Sequence, residues 1–327
     1  MGKAILNLKN FMELVRFYSL NMTFASCLII FAYAHFYDNF SIFNFLLILI
    51  AMSCMQMGAN LFDCYIDVKS QLKQGLTFEN MVFSTERKAR LIRNKTFSLK
   101  QVEFILITLF TIAILIGIYF AIKTSPYVLL FGLLGGILTL LYPVSSKFNM
   151  AEIIVGLIFG PLMIMGGFFA LTNTIDTNLF LLSWSIFFTT IILLHTHNIM
   201  DWEFDEKEGK NTFARMTGNK NNAINALKWM IILSYAIIVF GVLALSFNPK
   251  MLYVFLTLPI ATKLIESMKD YINIKDVEFK PRWYWGMFEN WQQIKELKLD
   301  YFMFRFYLAR NFSFFFALFA SLGVIIS

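Results

Sequence analysis

Long apolar runs separated by shorter polar segments make up most of the chain. A helix needs about 20 mainly apolar residues to cross the roughly 30 Å hydrocarbon core of a bilayer. Nine runs meet this requirement, at approximately 12–36, 42–66, 99–122, 126–143, 151–173, 178–200, 223–247, 250–268 and 302–326. Because they use nearly all of the 327 residues, the pattern predicts one membrane-embedded domain over 1–327. We expect an all-α bundle of nine transmembrane helices.

Composition supports this interpretation. The chain is 58% hydrophobic and contains 38 Phe, whereas only 15% of its residues are charged. Soluble domains carry about 25% charged residues, so the deficit favours lipid as the main surrounding. Cys27, Cys54 and Cys64 all lie in apolar runs without a CxxC pair, which is typical of small packing residues.

The distribution of positive charge predicts the orientation in the membrane. If the N-terminus is cytoplasmic, Lys123 and Lys250 are the only ones of the 28 Lys and Arg that fall in loops on the far side. Such asymmetry is the positive-inside rule. It explains the net charge of +7 without nucleic acid as a partner, and it predicts a multi-pass protein of the cell (inner) membrane.

Three polar segments are longer than simple turns. The segments 67–98 and 201–222 are basic, and both are cytoplasmic by the charge rule. The third, an insertion at about 269–301, mixes Lys and Arg with Trp283, Trp285 and other aromatic residues. Aromatic and basic residues together predict an interfacial segment along the lipid headgroups. Its role is left open between anchorage and a lid over a substrate entrance.

One polar pattern, N-x-x-D-x-x-x-D, occurs twice, at the ends of the second and sixth apolar runs. Its members are Asn60, Asp63 and Asp67 in the first copy and Asn198, Asp201 and Asp205 in the second. Spacings of three and four place all three side chains on one helix face. Four of the nine Asp in the chain belong to these two stripes.

Carboxylates in such stripes are costly unless a cation neutralises them. An Asp costs about 2.5–3.5 kcal/mol near the centre of a membrane helix, and adjacent carboxylates on one face repel each other. Mg²⁺ prefers oxygen ligands and binds one or two carboxylates together with waters and phosphate. The paired stripes therefore predict Mg²⁺ ions held across a diphosphate. Simple capping of helix ends and a proton or cation relay in a transporter are the alternatives.

Basic residues near the stripes are candidates for binding the diphosphate. They are Lys69, Arg87, Lys210 and Arg215. Cations at these positions could clamp the diphosphate and stabilise it as a leaving group. Ordinary positive-inside charge is the alternative explanation for each. His195 and His197 lie on different helix faces without a Cys nearby, which argues against a zinc site.

The stripes resemble the two signature motifs of the UbiA superfamily of intramembrane prenyltransferases. That family has nine transmembrane helices, Asp-rich motifs on helices 2 and 6, and a basic cytosolic loop after each. Within it, the stretches 197–205, 209–212 and 159–162 are similar to the 1,4-dihydroxy-2-naphthoate polyprenyltransferases. The chain departs from the family pattern at Ala59 and at Arg16-Phe17, where Asn and an Arg-Pro pair are usual.

The resemblance implies a Mg²⁺-dependent transferase that moves a polyprenyl group from an isoprenyl diphosphate to an aromatic acceptor. In the resembling branch the acceptor is 1,4-dihydroxy-2-naphthoate, an intermediate of menaquinone biosynthesis. The nine helices would surround a central cavity open to the cytoplasmic side. The resemblance assigns metal binding and catalysis to Asp63, Asp67, Asp201 and Asp205.

Other assignments complete the hypothesis. Asn60 and Asn198 would assist at the diphosphate, and Tyr142 and Glu152 are candidates for the acceptor side. A terpene cyclase on the same scaffold, a relative that uses a sugar diphosphate and a cation-coupled transporter remain alternatives. Release of pyrophosphate with or without an acceptor distinguishes them.

Overall fold

The computed structural model of the protein describes residues 2–38, 40–78, 90–145, 148–207, 211–273 and 279–326. Two of the residues predicted to bind diphosphate, Arg87 and Lys210, lie outside these ranges. All regular secondary structure within them is helical, which confirms the all-α class.

Nine helices among the described residues are long and apolar enough to cross a membrane, in the predicted order. They are α1 (Phe17–Ala34), α2 (Ile42–Lys73), α3 (Leu99–Lys123), α4 (Val128–Ser145), α5 (Ala151–Thr172), α6 (Thr177–Met200), α7 (Lys220–Ala244), α8 (Pro249–Ile272) and α9 (Asp300–Ile325). A further helix, Gly2–Leu14, precedes α1. The main departure from the predicted runs is α2, which continues as a helix to Lys73.

Polar side chains fix where several helices begin. The side chains of Ser41, Ser98, Asp176 and Asn219 precede α2, α3, α6 and α7, and each accepts a hydrogen bond from a backbone N–H of the first turn. These bonds satisfy donors that have no partner within the helix. Ser98 and Gln101 complete a reciprocal capping box.

The nine helices form a closed ring in chain order. Each packs against the next, and α9 returns to contact α1. α9 also packs against α6, and α1 also packs against α5, so these four helices form the interior of the bundle. A second, smaller apolar cluster joins α2 and α3 to the segment before α1. The ring therefore places the ends of α2 and α6 around one common interior.

A kink in α5 allows a close approach to α6. Residues Ile158–Leu162 form a π-helical turn, and Gly160 has non-helical dihedral angles of φ −82° and ψ −105°. Pro161 follows it and cannot donate a backbone hydrogen bond. The Phe159 carbonyl at this turn also accepts a hydrogen bond of 2.6 Å from Ser26 Oγ on α1. The turn thus holds α1, α5 and α6 together.

We expect Gly160→Ala to destabilise the protein by about 1–3 kcal/mol because overpacking forces backbone shifts. A Cβ atom at Gly160 would lie 2.8 Å from the Ser183 carbonyl oxygen and 2.9 Å from the Phe187 nitrogen, both backbone atoms of α6. Thermal unfolding in detergent measures the effect. Gly132→Ala in α4 is the control, because a Cβ there meets nothing within 4 Å. An equal melting temperature for the two variants would contradict the close packing.

Candidate functional site

The first Asp pair lies within a continuous helix rather than at its end. α2 runs through Asp63 and Asp67 to Lys73, so the two carboxylates are one turn apart on the same face. Asp63 is largely buried, with 13% of its side chain exposed. A guanidinium nitrogen of Arg16 lies 3.9 Å from Asp63 Oδ2. The first stripe therefore includes a cation from the segment before α1.

Asn60 ties the first stripe to the beginning of α1. Its Nδ2 donates to Ser19 Oγ at 2.8 Å and to the Val15 carbonyl at 3.4 Å. Gln56, one turn earlier on α2, donates to the Ser19 carbonyl at 2.7 Å. These bonds hold the 15–19 segment against α2. Arg16 lies in this segment with a left-handed backbone, φ 53° and ψ 49°, and its guanidinium lies beside Asp63.

For the diphosphate-dependent transfer that the sequence resemblance implies, we expect Arg16→Gln to lower kcat/KM by about tenfold to a hundredfold, because charge-assisted contacts to anionic groups contribute about 1.5–3 kcal/mol. Arg16→Lys keeps the charge but loses the planar donor fork, and we expect it to recover only part of the activity. Lys9→Gln, an exposed cation of the preceding helix, is the control. Steady-state kinetics of all three variants test whether the positive charge of Arg16 beside the first Asp pair contributes to the reaction. Wild-type activity in Arg16→Gln would refute that contribution.

The second Asp pair follows the end of α6. Asp201 caps α6, and the Asp205 N–H donates to the Asp201 carbonyl at 2.8 Å, so the helical spacing continues into the short helix Trp202–Lys207. Asp205 is buried, with 5% of the residue exposed. Asp201 Oδ2 lies 3.3 Å from His197 Nδ1, one turn earlier. The second copy thus also presents two carboxylates one turn apart.

Glu203 lies between these carboxylates but on another face, where it pairs with Lys220. Desolvation is the largest single influence and raises the pKa of Glu203. The hydrogen bond from Lys220, a backbone hydrogen bond and the charges of Lys220 and Lys207 together outweigh it, so the net pKa is below the ordinary value. Glu203 therefore binds Lys220 at the beginning of α7, and its carboxylate is not part of the second stripe.

A buried polar network supports the second stripe. Glu152 at the start of α5 has 1% of its side chain exposed, and His195 has none. Glu152 Oε2 lies 3.0 Å from His195 Nδ1, and His195 Nε2 lies 2.9 Å from the Ala223 carbonyl. Asn198 Nδ2 and the Ala214 N–H both donate to Glu152 Oε1. One carboxylate therefore connects α5, α6 and the segment before α7.

Arg215 lies beside the second stripe, as its predicted role requires. It is part of the turn Phe213–Met216, which Thr212 caps with a 3.3 Å hydrogen bond to the Arg215 N–H. Its guanidinium donates to the Asp205 carbonyl at 3.4 Å and lies 3.5 Å from Glu206 Oε1. The structure therefore brings this predicted diphosphate ligand next to the second Asp pair.

Lys69, unlike Arg215, points away from the nearest Asp pair. Its ammonium donates to the Tyr65 hydroxyl at 2.7 Å, and Tyr65 in turn donates to Glu103 on α3. Residues two apart on a helix point about 200° away from each other, so Lys69 and Asp67 lie on opposite faces. In this structure Lys69 donates to Tyr65, and Tyr65 is the residue that joins α2 to α3. The contact of Lys69 with diphosphate stays a prediction.

Both Asp pairs lie at the same end of the bundle. Tyr142, near the end of α4, interacts electrostatically with Arg16, the residue beside Asp63. Glu152, at the start of α5, bonds Asn198 of the second stripe. Only a short connection separates the end of α4 from the start of α5. The predicted acceptor-side residues Tyr142 and Glu152 thus lie near the first and second stripes respectively.

The carboxylates suit a metal that is shared with a phosphate ligand. Within the described ranges, no group of three or more His, Cys, Asp or Glu is placed to hold a metal ion by itself. Each stripe supplies two carboxylates, and Mg²⁺ commonly takes one or two, completing its shell with waters and substrate phosphate. The donor chemistry therefore fits Mg²⁺ bound jointly with a diphosphate. Both His195 nitrogens already face protein acceptors.

Two residues at the site were not among the predicted site residues. Arg16 stood out only as a departure from the Arg-Pro pattern, although a lone cation just before an apolar run is a recognisable signal. His195 was considered as a zinc ligand, yet it is the partner of Glu152. A histidine after four apolar residues needs a buried partner, but a partner 43 residues away cannot be read from spacing.

The fold and the site together define a class of protein: a ring of nine membrane-length helices in which α2 and the end of α6 present paired carboxylates to one end of the bundle. Residues 22–288 match the UbiA prenyltransferase family. The match covers most of the chain, so the protein belongs to this family and is a prenyltransferase by class.

A curated relative and several solved structures are similar to this chain. The 1,4-dihydroxy-2-naphthoate octaprenyltransferase of Bacillus subtilis (strain 168) is 26% identical over 264 residues, which cover 80% of this chain and 81% of the relative. A digeranylgeranylglyceryl phosphate synthase structure has a TM-score of 0.62 at 13% identity and covers 98% of this chain and 99% of its own.

Two archaeal structures share the fold as well. The apo UbiA homologue of Aeropyrum pernix K1 has a TM-score of 0.56 at 16% identity, covering 94% of this chain and 98% of its own. The Archaeoglobus fulgidus homologue, solved with GPP and Mg²⁺, has a TM-score of 0.51 at 15% identity, covering 97% of this chain and 100% of its own. At these identities the likeness shows a common fold.

Proposed function

We propose that this protein transfers a polyprenyl group from an isoprenyl diphosphate to an aromatic acceptor, with 1,4-dihydroxy-2-naphthoate of menaquinone biosynthesis as the acceptor. One observation carries the proposal: two carboxylate pairs, each one turn apart, lie at the same end of a UbiA-family bundle. The naphthoate acceptor is supported by the name of the Bacillus subtilis relative. The Archaeoglobus fulgidus structure with GPP and Mg²⁺ supports the metal and the donor class.

The carboxylates are assigned to the metal and the diphosphate. Asp63 and Asp67 would hold one Mg²⁺, and Asp201 and Asp205 a second. When bound, the metal would neutralise the diphosphate and so favour its departure. In the reaction, the allylic C–O bond breaks and its electron pair leaves with pyrophosphate. An electron-rich acceptor carbon then forms a bond to the prenyl cation, and the ring regains its aromaticity when that carbon loses a proton to solvent. In the naphthoate case the carbon loses its carboxylate as carbon dioxide instead, and the electron pair of the broken C–C bond returns to the ring.

Other residues position these groups. Arg16 and Arg215 lie beside the first and second pair respectively, where they would contribute positive charge toward the leaving group. The amide nitrogens of Asn60 and Asn198 are used by Ser19 and Glu152. We therefore assign both Asn to holding their stripes in place, with the remaining amide oxygen available to Mg²⁺ or to a metal-bound water rather than to the diphosphate itself.

The proposal includes a location. The protein is a multi-pass membrane protein, and the positive-inside distribution of Lys and Arg supports placing the N-terminus and the Asp pairs on the cytoplasmic side of the cell membrane. The diphosphate group of the donor would then face the cytosol while its prenyl chain lies in the bilayer, and the aromatic acceptor would reach the site from the same side. The single domain over 1–327 includes the insertion at 269–301.

Purified protein with Mg²⁺, a labelled polyprenyl diphosphate and a panel of aromatic acceptors tests this function. We expect a prenylated product and one pyrophosphate per turnover with the naphthoate acceptor. Chelating Mg²⁺ should abolish both, and returning it should restore both. A rescue test in a menaquinone-deficient strain examines the acceptor in the cell.

The same assay distinguishes the alternatives. Pyrophosphate released without any acceptor would favour a terpene cyclase, and product with a different acceptor would correct the acceptor alone. No pyrophosphate under any condition, together with cation-dependent solute uptake in vesicles, would favour a transporter and refute the proposed function.

A further inference from the structure

A basic cavity lies outside the Asp pairs, between α8, α9 and the 279–285 segment. Its volume is about 210 Å³, far above the roughly 10–15 Å³ that one water needs. The described lining residues are Lys263, Ser267, Asp270, Phe279, Lys280, Arg282, Trp285 and Phe304. They include three cations and one carboxylate, so the described lining has a net positive charge.

Two of these cations converge on a single aromatic ring. Lys263 Nζ lies 5.6 Å and the Arg282 guanidinium carbon 5.4 Å from the centroid of Trp285. The ring attracts each cation, but the two cations repel each other across it. Lys263 also contacts Glu266 at 3.3 Å, on the exposed surface of α8. An anion in the cavity would relieve the remaining repulsion.

The cavity wall is held in place by α9. Asn311 Nδ2 donates to the Trp285 carbonyl at 2.9 Å and to the Met287 carbonyl at 3.0 Å. Gly286 between them has φ 92°, a left-handed value that favours glycine, and a Cβ there would lie 2.8 Å from Asn311 Cγ. These contacts fix the loop that carries Arg282 and Trp285, so the cavity is preformed.

The surroundings of the cavity match the edge of a bilayer. Trp283 beside Arg282 is 89% exposed, and Met287 is 58% exposed. Large apolar side chains next to exposed Lys and Arg are typical of the headgroup region. The cavity also lies at the same end of the bundle as the Asp pairs, because Tyr271 of α8 donates to the Met200 carbonyl just before Asp201. That end is the proposed cytoplasmic side, where anionic lipids attract basic segments.

We propose that this cavity binds the phosphate headgroup of an anionic phospholipid, with Lys280 and Arg282 contacting the phosphate and Trp283 and Met287 lying against the acyl chains. Lys280 and Arg282 are exposed at the cavity and can reach a ligand that enters from the membrane surface. The insertion at 269–301 is then a lipid-binding anchor. The site is separate from the Asp pairs and does not depend on the proposed enzymatic reaction.

Native mass spectrometry of the full-length protein in detergent, titrated with phosphatidylglycerol or phosphatidylcholine, tests the proposal. We expect saturable binding of one phosphatidylglycerol with clear preference over phosphatidylcholine. The double variant Lys280→Gln/Arg282→Gln should weaken that binding by about thirtyfold, because each cation near an anionic headgroup contributes about a factor of five. Lys263→Gln, on the opposite wall, should weaken it by about fivefold.

The control is Lys269→Gln/Lys295→Gln, which removes the same charge from exposed positions of the same region outside the cavity lining. Equal loss in both double variants would show general surface attraction and overturn the site. Equal binding of the two lipids would also overturn it. Displacement of phosphatidylglycerol by millimolar inorganic phosphate would assign the cavity to a soluble anion, and displacement by the isoprenyl diphosphate would assign it to the substrate path; either result overturns the lipid assignment.

Discussion

Replacing Asp63 or Asp201 by Asn is expected to lower kcat/KM by at least about a thousandfold. Each substitution keeps the size of the side chain but removes the negative charge that holds the cation, and metal stabilisation of developing charge is worth several kcal/mol. Prenyl transfer by each purified variant, measured over a range of Mg²⁺ concentrations, tests the assignment. We expect the lost activity to return only in part at high Mg²⁺, since one carboxylate of each pair remains.

Folding should survive these substitutions, because paired carboxylates repel each other without a cation. The melting temperature of each variant in detergent, compared with that of the wild type, checks this point. Asp38→Asn is the matched control: it makes the same substitution at an exposed residue that follows α1, at the end of this helix away from the first stripe. Near-normal activity of Asp63→Asn or Asp201→Asn, or an equal loss in Asp38→Asn, would contradict the metal site.

Hydropathy and residue spacing are sufficient to predict the helical fold and the helix faces on which the carboxylates lie. A membrane helix must satisfy its own backbone hydrogen bonds and be long enough to cross, so the nine apolar runs predict nine membrane-length helices. The described part of the chain contains nine such helices. Repeated spacings of three and four likewise place Asp63 with Asp67, and Asp201 with Asp205, on single faces. Helix length and the helix face of a side chain depend on residues that are close in sequence, so both can be predicted from the sequence.

Contacts between distant residues could not be read in the same way. Spacing predicts that Asn60 faces the same side as Asp63, but not that its amide binds Ser19 on another helix. Proximity in sequence suggested Lys69 as a diphosphate ligand, whereas its side chain reaches Tyr65 one turn back. Which partner a polar side chain selects depends on helix packing, and a single sequence does not reveal that packing.

The two stripes share one arrangement, which the sequence motif alone does not reveal: the Asn bonds the surrounding protein, and a cation lies beside an Asp. In each, the Asn amide nitrogen donates to the scaffold: to Ser19 at the beginning of α1 in the case of Asn60, and to Glu152 in the case of Asn198. In each, a cation lies beside an Asp, Arg16 at the first stripe and Arg215 at the second. We infer that the Asn residues set the orientation of the helix face and leave the carboxylates for the ligand. Glu152 therefore positions the second stripe, because it accepts the hydrogen bond that holds Asn198 in place.

We expect Glu152→Ala to lower the free energy of unfolding by about 3–5 kcal/mol, the usual cost of removing one partner from a buried charged pair. The loss leaves His195, Asn198 and the Ala214 N–H without their common acceptor. Unfolding of the purified protein by denaturant in mixed micelles measures the change. Activity should fall as well, because Asn198 lies one turn before Asp201 and would no longer be fixed.

Glu152→Gln separates this network from simple packing. His195 lies between the Glu152 carboxylate, which faces Nδ1, and the Ala223 carbonyl, which faces Nε2. With Gln, the amide oxygen can still accept from Asn198, and the amide NH₂ can donate to His195 Nδ1. The network then stays satisfied without charge, and we expect a loss below about 1.5 kcal/mol. If Glu152→Gln were as unstable as Glu152→Ala, the carboxylate would have a role beyond hydrogen bonding; if neither were destabilised, the network would not support the second stripe.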